Sequence, residues 1–238
     1  MTDPSAQARS FGTAADRYDR YRPGYPSDAV VWALGERPLR VADLGAGTGI
    51  LSRLLGRLGH QVVAVEPDDA MRAQLERASP GVTALAGTAE GIPLPDGSVD
   101  AVVAGQAYHW FDPGRAHPEI ARVLRPGGVF ATIRNDADPA TPWTVRFADI
   151  IDGPQAEPAE PDFGDRFGPV RGARFSNEVW LTPDDLVAVA TTRSPYLVGT
   201  ERERVDLVDA VRRLAGQAGL SGRFAMPYLT RVQAATRS

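Results

Sequence analysis

No cysteine occurs among the 238 residues, which excludes disulfides, thiolate metal sites and a thiol nucleophile together. Lysine is missing as well. All 26 basic residues are arginine, so neither a Schiff base nor a lysine general base is available, while planar, bidentate recognition of carboxylates is well supplied. No apolar run approaches the roughly eighteen residues of a membrane-spanning helix, and the polar Met1–Ser10 stretch has no apolar core of a secretory signal. A cytoplasmic protein with no membrane partner is expected. Positive charge is in deficit: a formal net charge of −4 argues against a nucleic-acid partner, because phosphate neutralisation needs a basic face. What remains is a chain of 43% hydrophobic residues, long enough for one large α/β domain over residues 1–238.

From Ser27 to Phe130 short apolar runs alternate with longer amphipathic stretches, the pattern of strands and helices in a parallel sheet. Strands are expected at Arg40–Leu44, Gln61–Glu66, Val82–Gly87, Val99–Gly105 and Gly128–Ile133, each apolar on both faces as a strand covered by helices must be. Helices are expected at Ser27–Gly35, Ile50–Leu58, Asp69–Ala78 and Arg115–Leu124, with Pro126-Gly127-Gly128 turning the chain into the fifth strand. Beyond Arg134, Asn135–Pro142 is turn-rich, and the proline- and glycine-laden Asp152–Gly168 reads as a mobile loop. A strand at Ala173–Trp180, a helix opening at Thr182 with Asp185 in capping-box spacing, a helix at Glu201–Ala218 and a last strand at Phe224–Ala234 complete the order. A doubly wound α/β fold class is expected.

The most informative segment is Val41-Ala42-Asp43-Leu44-Gly45-Ala46-Gly47-Thr48-Gly49, where the first strand meets the following helix. Glycines at alternate positions let the backbone turn sharply and approach a ligand where a Cβ would collide. Glu66 sharpens the reading. It stands 21 positions after Gly45 at the end of the second strand, where a carboxylate can accept hydrogen bonds from both hydroxyls of a ribose. Dinucleotides and S-adenosylmethionine both carry such a ribose, but dinucleotide turns run Gly-x-Gly-x-x-Gly and this one runs Gly-x-Gly-x-Gly.

Asp43-Leu44-Gly45-Ala46-Gly47-Thr48-Gly49 resembles the first motif of the class I S-adenosylmethionine-dependent methyltransferases. Glu66-Pro67-Asp68-Asp69-Ala70-Met71, Gly87-Thr88-Ala89-Glu90-Gly91-Ile92-Pro93-Leu94-Pro95-Asp96, Asp100-Ala101-Val102-Val103 and Leu124-Arg125-Pro126-Gly127-Gly128 resemble later pieces of that family, in its order. The resemblance implies a Rossmann-like, mostly parallel seven-stranded sheet with an antiparallel last strand, residues 1–26 as an N-terminal lid and 135–170 as a variable insertion. It also implies S-adenosyl-L-methionine as cofactor and S-adenosyl-L-homocysteine as product. By it, the backbone of Gly45, Ala46, Gly47 and Gly49 holds the methionine portion. Glu66, with Pro67 beside it, takes the ribose; Met71 packs near adenine; Ala89 and Glu90 address its edge; and Gln106 is a further candidate cofactor contact. Asp43 either caps the turn or, ionised, attracts the cofactor's ammonium. No metal is implied.

Methyl transfer from a sulfonium is an in-line displacement on an already activated donor, so a protein mainly positions the acceptor and excludes water. A base is needed for a hydroxyl or ammonium acceptor but not for a carboxylate. Gln106-Ala107-Tyr108-His109-Trp110-Phe111 follows the fourth strand, at the sheet end where ligands sit. Its wording is similar to a small-molecule subgroup related to trans-aconitate methyltransferases. His109 is the candidate base or polar anchor, against a structural histidine, and Trp110 the pocket wall. Tyr18, Tyr21 and Arg22 are the candidate lid residues; Arg134, with Arg193 and Tyr196, would complete an anion site. Two other functions share these features: an NAD-dependent oxidoreductase, and a methyltransferase-like cofactor-binding protein that methylates nothing.

Overall fold

A computed structural model describes residues 19–154 and 162–238, so Tyr18, most of the expected lid and the centre of the expected loop lie outside the described residues. These residues fall into two compact units. One comprises Gly24–Asn135, 162–175 and Thr230–Ser238; the other comprises 19–23, 136–154 and Ser176–Leu229. In chain order the strands are β1 (Arg40–Leu44), β2 (Gln61–Val65), β3 (Thr83–Leu85), β4 (Val99–Gly105), β5 (Leu124–Ala137), β6 (Arg171–Leu181) and β7 (Phe224–Thr236). They form one seven-stranded sheet in the order β3-β2-β1-β4-β5-β7-β6, with β1 to β5 parallel and β7 antiparallel, a Rossmann-like arrangement as expected.

In the first unit, successive side chains of each strand enter opposite cores. Ala42 and Leu44 of β1, Val65 of β2 and Phe130 of β5 pack on one side; Val41, Val62, Ala131 and Ile133 pack on the other. Burial on both faces is why these strands read as continuous apolar runs rather than alternating ones. Along β4 the alternation slips: Val99 shares a core with Val102 and Ala104, while Ala101 and Val103 face away. The register shift against β5 between Val99 and Ala101 accounts for the slip.

The covering helices are α1 (Ser27–Leu34), α2 (Ile50–Arg57), α3 (Asp69–Ala78) and α4 (Pro113–Val123). In α2, Leu51, Leu54 and Leu55 recur at helical spacing and are buried. Asp68 caps α3 by accepting from the N–H groups of Ala70 and Met71, each at 2.9 Å, and Asp112 caps α4 from Gly114 N–H at 3.0 Å.

The second unit holds α5 (Pro142–Asp152), α6 (Pro183–Thr191), α7 (Ser194–Val198) and α8 (Glu201–Gln217). Its core joins Phe147 and Ile151 of α5, Leu186 and Val189 of α6, Val211 and Leu214 of α8, and Met226 and Tyr228 of β7. The Thr182–Asp185 capping box forms as its spacing predicts, and Thr200 and Glu203 build an equivalent one at the start of α8.

Three expectations are corrected. Pro126-Gly127-Gly128 does not separate α4 from β5 but lies within it: Gly127 adopts φ +75°, and a Cβ at Gly128 would lie 2.9 Å from the carbonyl oxygens of Arg125 and Asp100. Glycine here permits a bulge in a crowded strand. β5 also extends through Ala137, so Arg134 lies inside the strand rather than after it, and α5 begins at Pro142. Finally, the end of the expected loop is packed: Phe163 and Phe167 lie tilted against the Phe130 ring and are buried, although proline and glycine surround them in sequence.

Candidate cofactor and acceptor site

The chain leaves β1 through Gly45, Gly47 and Gly49, all with positive φ, but each glycine meets a different environment. A Cβ on Gly45 would lie 2.6 Å from the Ala107 Cβ, and one on Gly49 would lie 2.8 Å from Leu75 Cγ. Those two glycines serve packing. A Cβ on Gly47 would meet nothing within 4 Å, so its backbone faces open space. The N–H groups of Gly45 and Ala46 bond to the Val65 carbonyl at 2.9 and 3.2 Å, tying the turn to the end of β2.

Glu66, one residue beyond β2, is buried; its Oε2 accepts from Gly47 N–H at 2.8 Å and its Oε1 from Asp68 N–H at 2.9 Å. Each oxygen keeps a further lone pair. Burial nevertheless outweighs these bonds and pushes the Glu66 carboxyl above the ordinary carboxylate range. Asp43 is fully buried. Its Oδ2 accepts from Ser52 Oγ at 2.6 Å, while Oδ1 has no hydrogen-bond partner. Burial, reinforced by repulsion from Glu66 and opposed by the Ser52 bond, raises the Asp43 carboxyl to about 7. Burial thus works against the ionised form that would attract an ammonium, while the Ser52 bond favours it.

The remaining residues expected at the cofactor lie in the same unit. Pro67 is exposed at the start of the turn into α3, where Met71 is buried. Ala89 is buried, while Glu90 Oε1 accepts from Asp112 N–H at 2.9 Å, joining the loop after β3 to the cap of α4. Gln106, immediately after β4, has φ +56°, the only positive φ found on a non-glycine residue among the described residues. Its Nε2 donates to the Asn135 carbonyl at 2.9 Å, while Asn135 Oδ1 accepts from Thr230 at 2.6 Å and its Nδ2 donates to the Gly24 carbonyl at 3.0 Å. A left-handed glutamine costs about 1 kcal/mol or more and persists because neighbouring bonds over-determine it. Sequence reasoning missed Asn135, Ser52 and Ala107: an asparagine after an apolar strand, a helical serine and an alanine carry no distinctive signal.

His109 and Trp110 lie on a single 3₁₀ turn, Tyr108–Trp110, whose position follows from the Gln106 backbone. His109 is exposed, and its ring centroid lies 4.6 Å from that of Trp110. Tyr108 points instead into the core side, with its hydroxyl 3.0 Å from His117 Nε2. Arg134 is half-buried in the same unit. Tyr21, Arg22 and Tyr196 belong to the other unit. There Tyr21 packs against the apolar core, Arg22 Nη2 donates to the Thr192 carbonyl at 3.4 Å, and the Arg204 guanidinium lies 5.5 Å from the centre of the Tyr196 ring. Arg193 pairs with Asp152 at 3.2 Å.

A strand-end turn with an open glycine, a buried acid before it and a second acid on the neighbouring strand defines a nucleotide-cofactor class of α/β protein. Comparison with known proteins narrows the class. Residues 42–132 match a family described as a methyltransferase domain. An uncharacterized methyltransferase of Mycobacterium tuberculosis is 42% identical over 226 residues, covering 93% of each chain. A malonyl-[acyl-carrier protein] O-methyltransferase of Methylococcus capsulatus is 38% identical over 133 residues, 51% of this chain and 48% of that one. A solved structure of a candidate type II methyltransferase from Anaeromyxobacter dehalogenans superposes with TM-score 0.59 at 27% identity, covering 91% of this chain and 97% of that one. This chain belongs to the class I S-adenosylmethionine-dependent methyltransferases and is a methyltransferase.

Proposed function

We propose that the chain holds S-adenosylmethionine against the β1–α2 turn and transfers its methyl group to a small-molecule acceptor. One observation carries this reading: the Gly47 backbone faces open space with its N–H bonded to Glu66, and Asp43, at the end of β1 just before the turn, keeps a buried Oδ1 without a hydrogen-bond partner. A ligand bearing an ammonium and a vicinal diol suits that pair of acceptors. The ammonium would favour the ionised form of Asp43, and the diol would use the free lone pairs of Glu66. Met71, Ala89 and Glu90 would border the adenine, with Pro67 and Gln106 at the margins. Bound cofactor supplies an electrophilic methyl on a positively charged sulfur.

The turn after β4 would then present the acceptor. His109 takes its proton when the acceptor is a hydroxyl or amine; a carboxylate acceptor needs no base and is instead positioned by an arginine, for which Arg134 stands as the candidate. Trp110 supplies an apolar wall. The O-methyltransferase relative and the wording of the 106–111 segment both favour an oxygen acceptor.

Calorimetric titration of the full chain with S-adenosylhomocysteine and with NAD tests the cofactor. Binding of the former alone is expected, and binding of NAD alone would overturn the reading. Transfer of tritium from labelled cofactor into the small-molecule fraction of a metabolite extract tests the acceptor class. Label entering only protein or nucleic acid would reject it. On the acceptor so found, His109→Gln lowers turnover by roughly two to four orders of magnitude if the histidine is the base, and leaves it near wild type if the acceptor is a carboxylate.

A further inference from the structure

At the opposite ends of the same strands, where β4 and β5 begin, the first unit contains an open cavity of about 580 Å³. Glu119 and Arg122 of α4, Asp96, Pro126, Arg166 and Arg237 line it. Ligands of doubly wound sheets gather at the C-terminal ends of strands, so this cavity is separate from the cofactor turn. Its volume falls in the range of small-molecule pockets.

The three arginines are not equivalent. Arg122 is fully committed. Its Nε and Nη2 bond to the two oxygens of Glu119 at 2.7 and 2.8 Å, its Nη1 bonds to Asp96 at 2.7 Å and to the Leu94 carbonyl at 2.8 Å, and Nη2 also donates to the Ile92 carbonyl at 2.9 Å. That network clamps the loop before β4 and holds the Glu119 carboxyl below the usual carboxylate range. Arg166 is exposed and its side chain has no hydrogen-bond or ion-pair partner among the described residues. Arg237 donates Nη1 to the Leu124 carbonyl and pairs with no described carboxylate. With Glu119 offset by Arg122, and Asp96 the one remaining acid of the lining, Arg166 and Arg237 leave the cavity with an excess of positive charge on a chain whose net charge is −4.

We propose that this cavity binds a doubly charged oxyanion, a phosphate ester, between Arg166 and Arg237. Two guanidinium forks match the charge and the several acceptor oxygens of such a group, and the remaining volume accommodates the organic part of the ester. The proposal stands independently of the methyl-transfer reading, since none of these residues belongs to the cofactor turn.

Inorganic phosphate is the probe. Titrated into the full chain at constant ionic strength, with chloride and acetate as comparison anions, it should raise Tm saturably and give calorimetric binding at least tenfold tighter than acetate. Arg166→Gln should weaken phosphate binding about tenfold, and Arg166→Glu should abolish it. Both substitutions replace an exposed side chain, so the fold should persist, and they decide the question even if Arg237→Gln fails to fold. Absence of saturable phosphate binding, equal binding of acetate, or unchanged phosphate affinity in Arg166→Glu would each overturn the proposal.

Discussion

The turns that follow β1 and β4 sit at the same end of neighbouring strands, yet they are built in opposite ways. After β1 the main chain does the work: positive-φ glycines, N–H groups committed to Val65 and Glu66, and two buried acids. After β4 a side-chain-bearing residue, Gln106, takes the left-handed conformation, and exposed His109 is presented on one short 3₁₀ turn. The first turn is suited to a constant ligand, because backbone geometry tolerates little variation. The second leaves its chemistry to side chains, which on a short turn can be exchanged without rebuilding the sheet.

The largest effect should come from comparing glycines within the first turn. Gly47→Val is expected to lower S-adenosylhomocysteine affinity by about a hundredfold or more, with only about 1 kcal/mol lost in stability for its positive φ. Gly45→Val should do the reverse, destabilising the fold by roughly 2–4 kcal/mol because its Cβ collides with Ala107. Calorimetry beside denaturant unfolding separates them. Equal damage by both, on both readouts, would erase the distinction between an open and a packed glycine.

Glu66→Gln should follow, with cofactor affinity falling about tenfold to a hundredfold. The variant loses a charge-assisted acceptor and directs an amide nitrogen at the N–H of either Gly47 or Asp68. Unchanged affinity in a folded variant would remove Glu66 from the site.

Asp43→Asn sharpens the electrostatic side of the comparison. A carboxyl raised from 3.8 to about 7 holds its proton in the folded state while the unfolded chain has released it. Its stabilising contribution is therefore full below about pH 4 and declines as pH rises toward about 7. Asparagine retains an acceptor for Ser52 and removes the titration. It should be more stable than wild type by roughly 1–3 kcal/mol at pH 8, with little gain at pH 4, while binding the cofactor less tightly. Urea unfolding at the two pH values measures this, and a pH-independent difference would refute the assigned titration.

The smallest stability change is expected at Gln106→Gly. Relief of the left-handed strain and loss of the bond to Asn135 are each about 1 kcal/mol and opposite in sign, so Tm should move little. Turnover should fall, because the turn carrying His109 and Trp110 loses the tether that orients it. A large stabilisation would show that the Asn135 bond contributes nothing.

Much of this molecule was legible without coordinates because its signals are local. Apolar runs and their spacing located the seven strands to within a few residues, the Thr182–Asp185 pair announced a helix start, and the glycine turn with Glu66 marked the sheet end where we propose the cofactor. Such features depend on neighbouring residues and on backbone conformations that few side chains tolerate. Tertiary structure alone decided that Gly47 is open while Gly45 is packed, that Asp43 is buried beside Glu66 with its carboxyl raised above the usual range, and that Asn135 joins three distant segments. It also decided that Phe163 and Phe167 leave a proline-rich stretch to enter a core. In each case the deciding surroundings are remote in sequence: Ala107 for Gly45, the burial of Asp43 with a smaller part from Glu66, Thr230 for Asn135 and Phe130 for the two phenylalanines. Burial, charge coupling and steric room are properties of what surrounds a residue in space, and a linear pattern carries them only when those surroundings are also its neighbours in the chain.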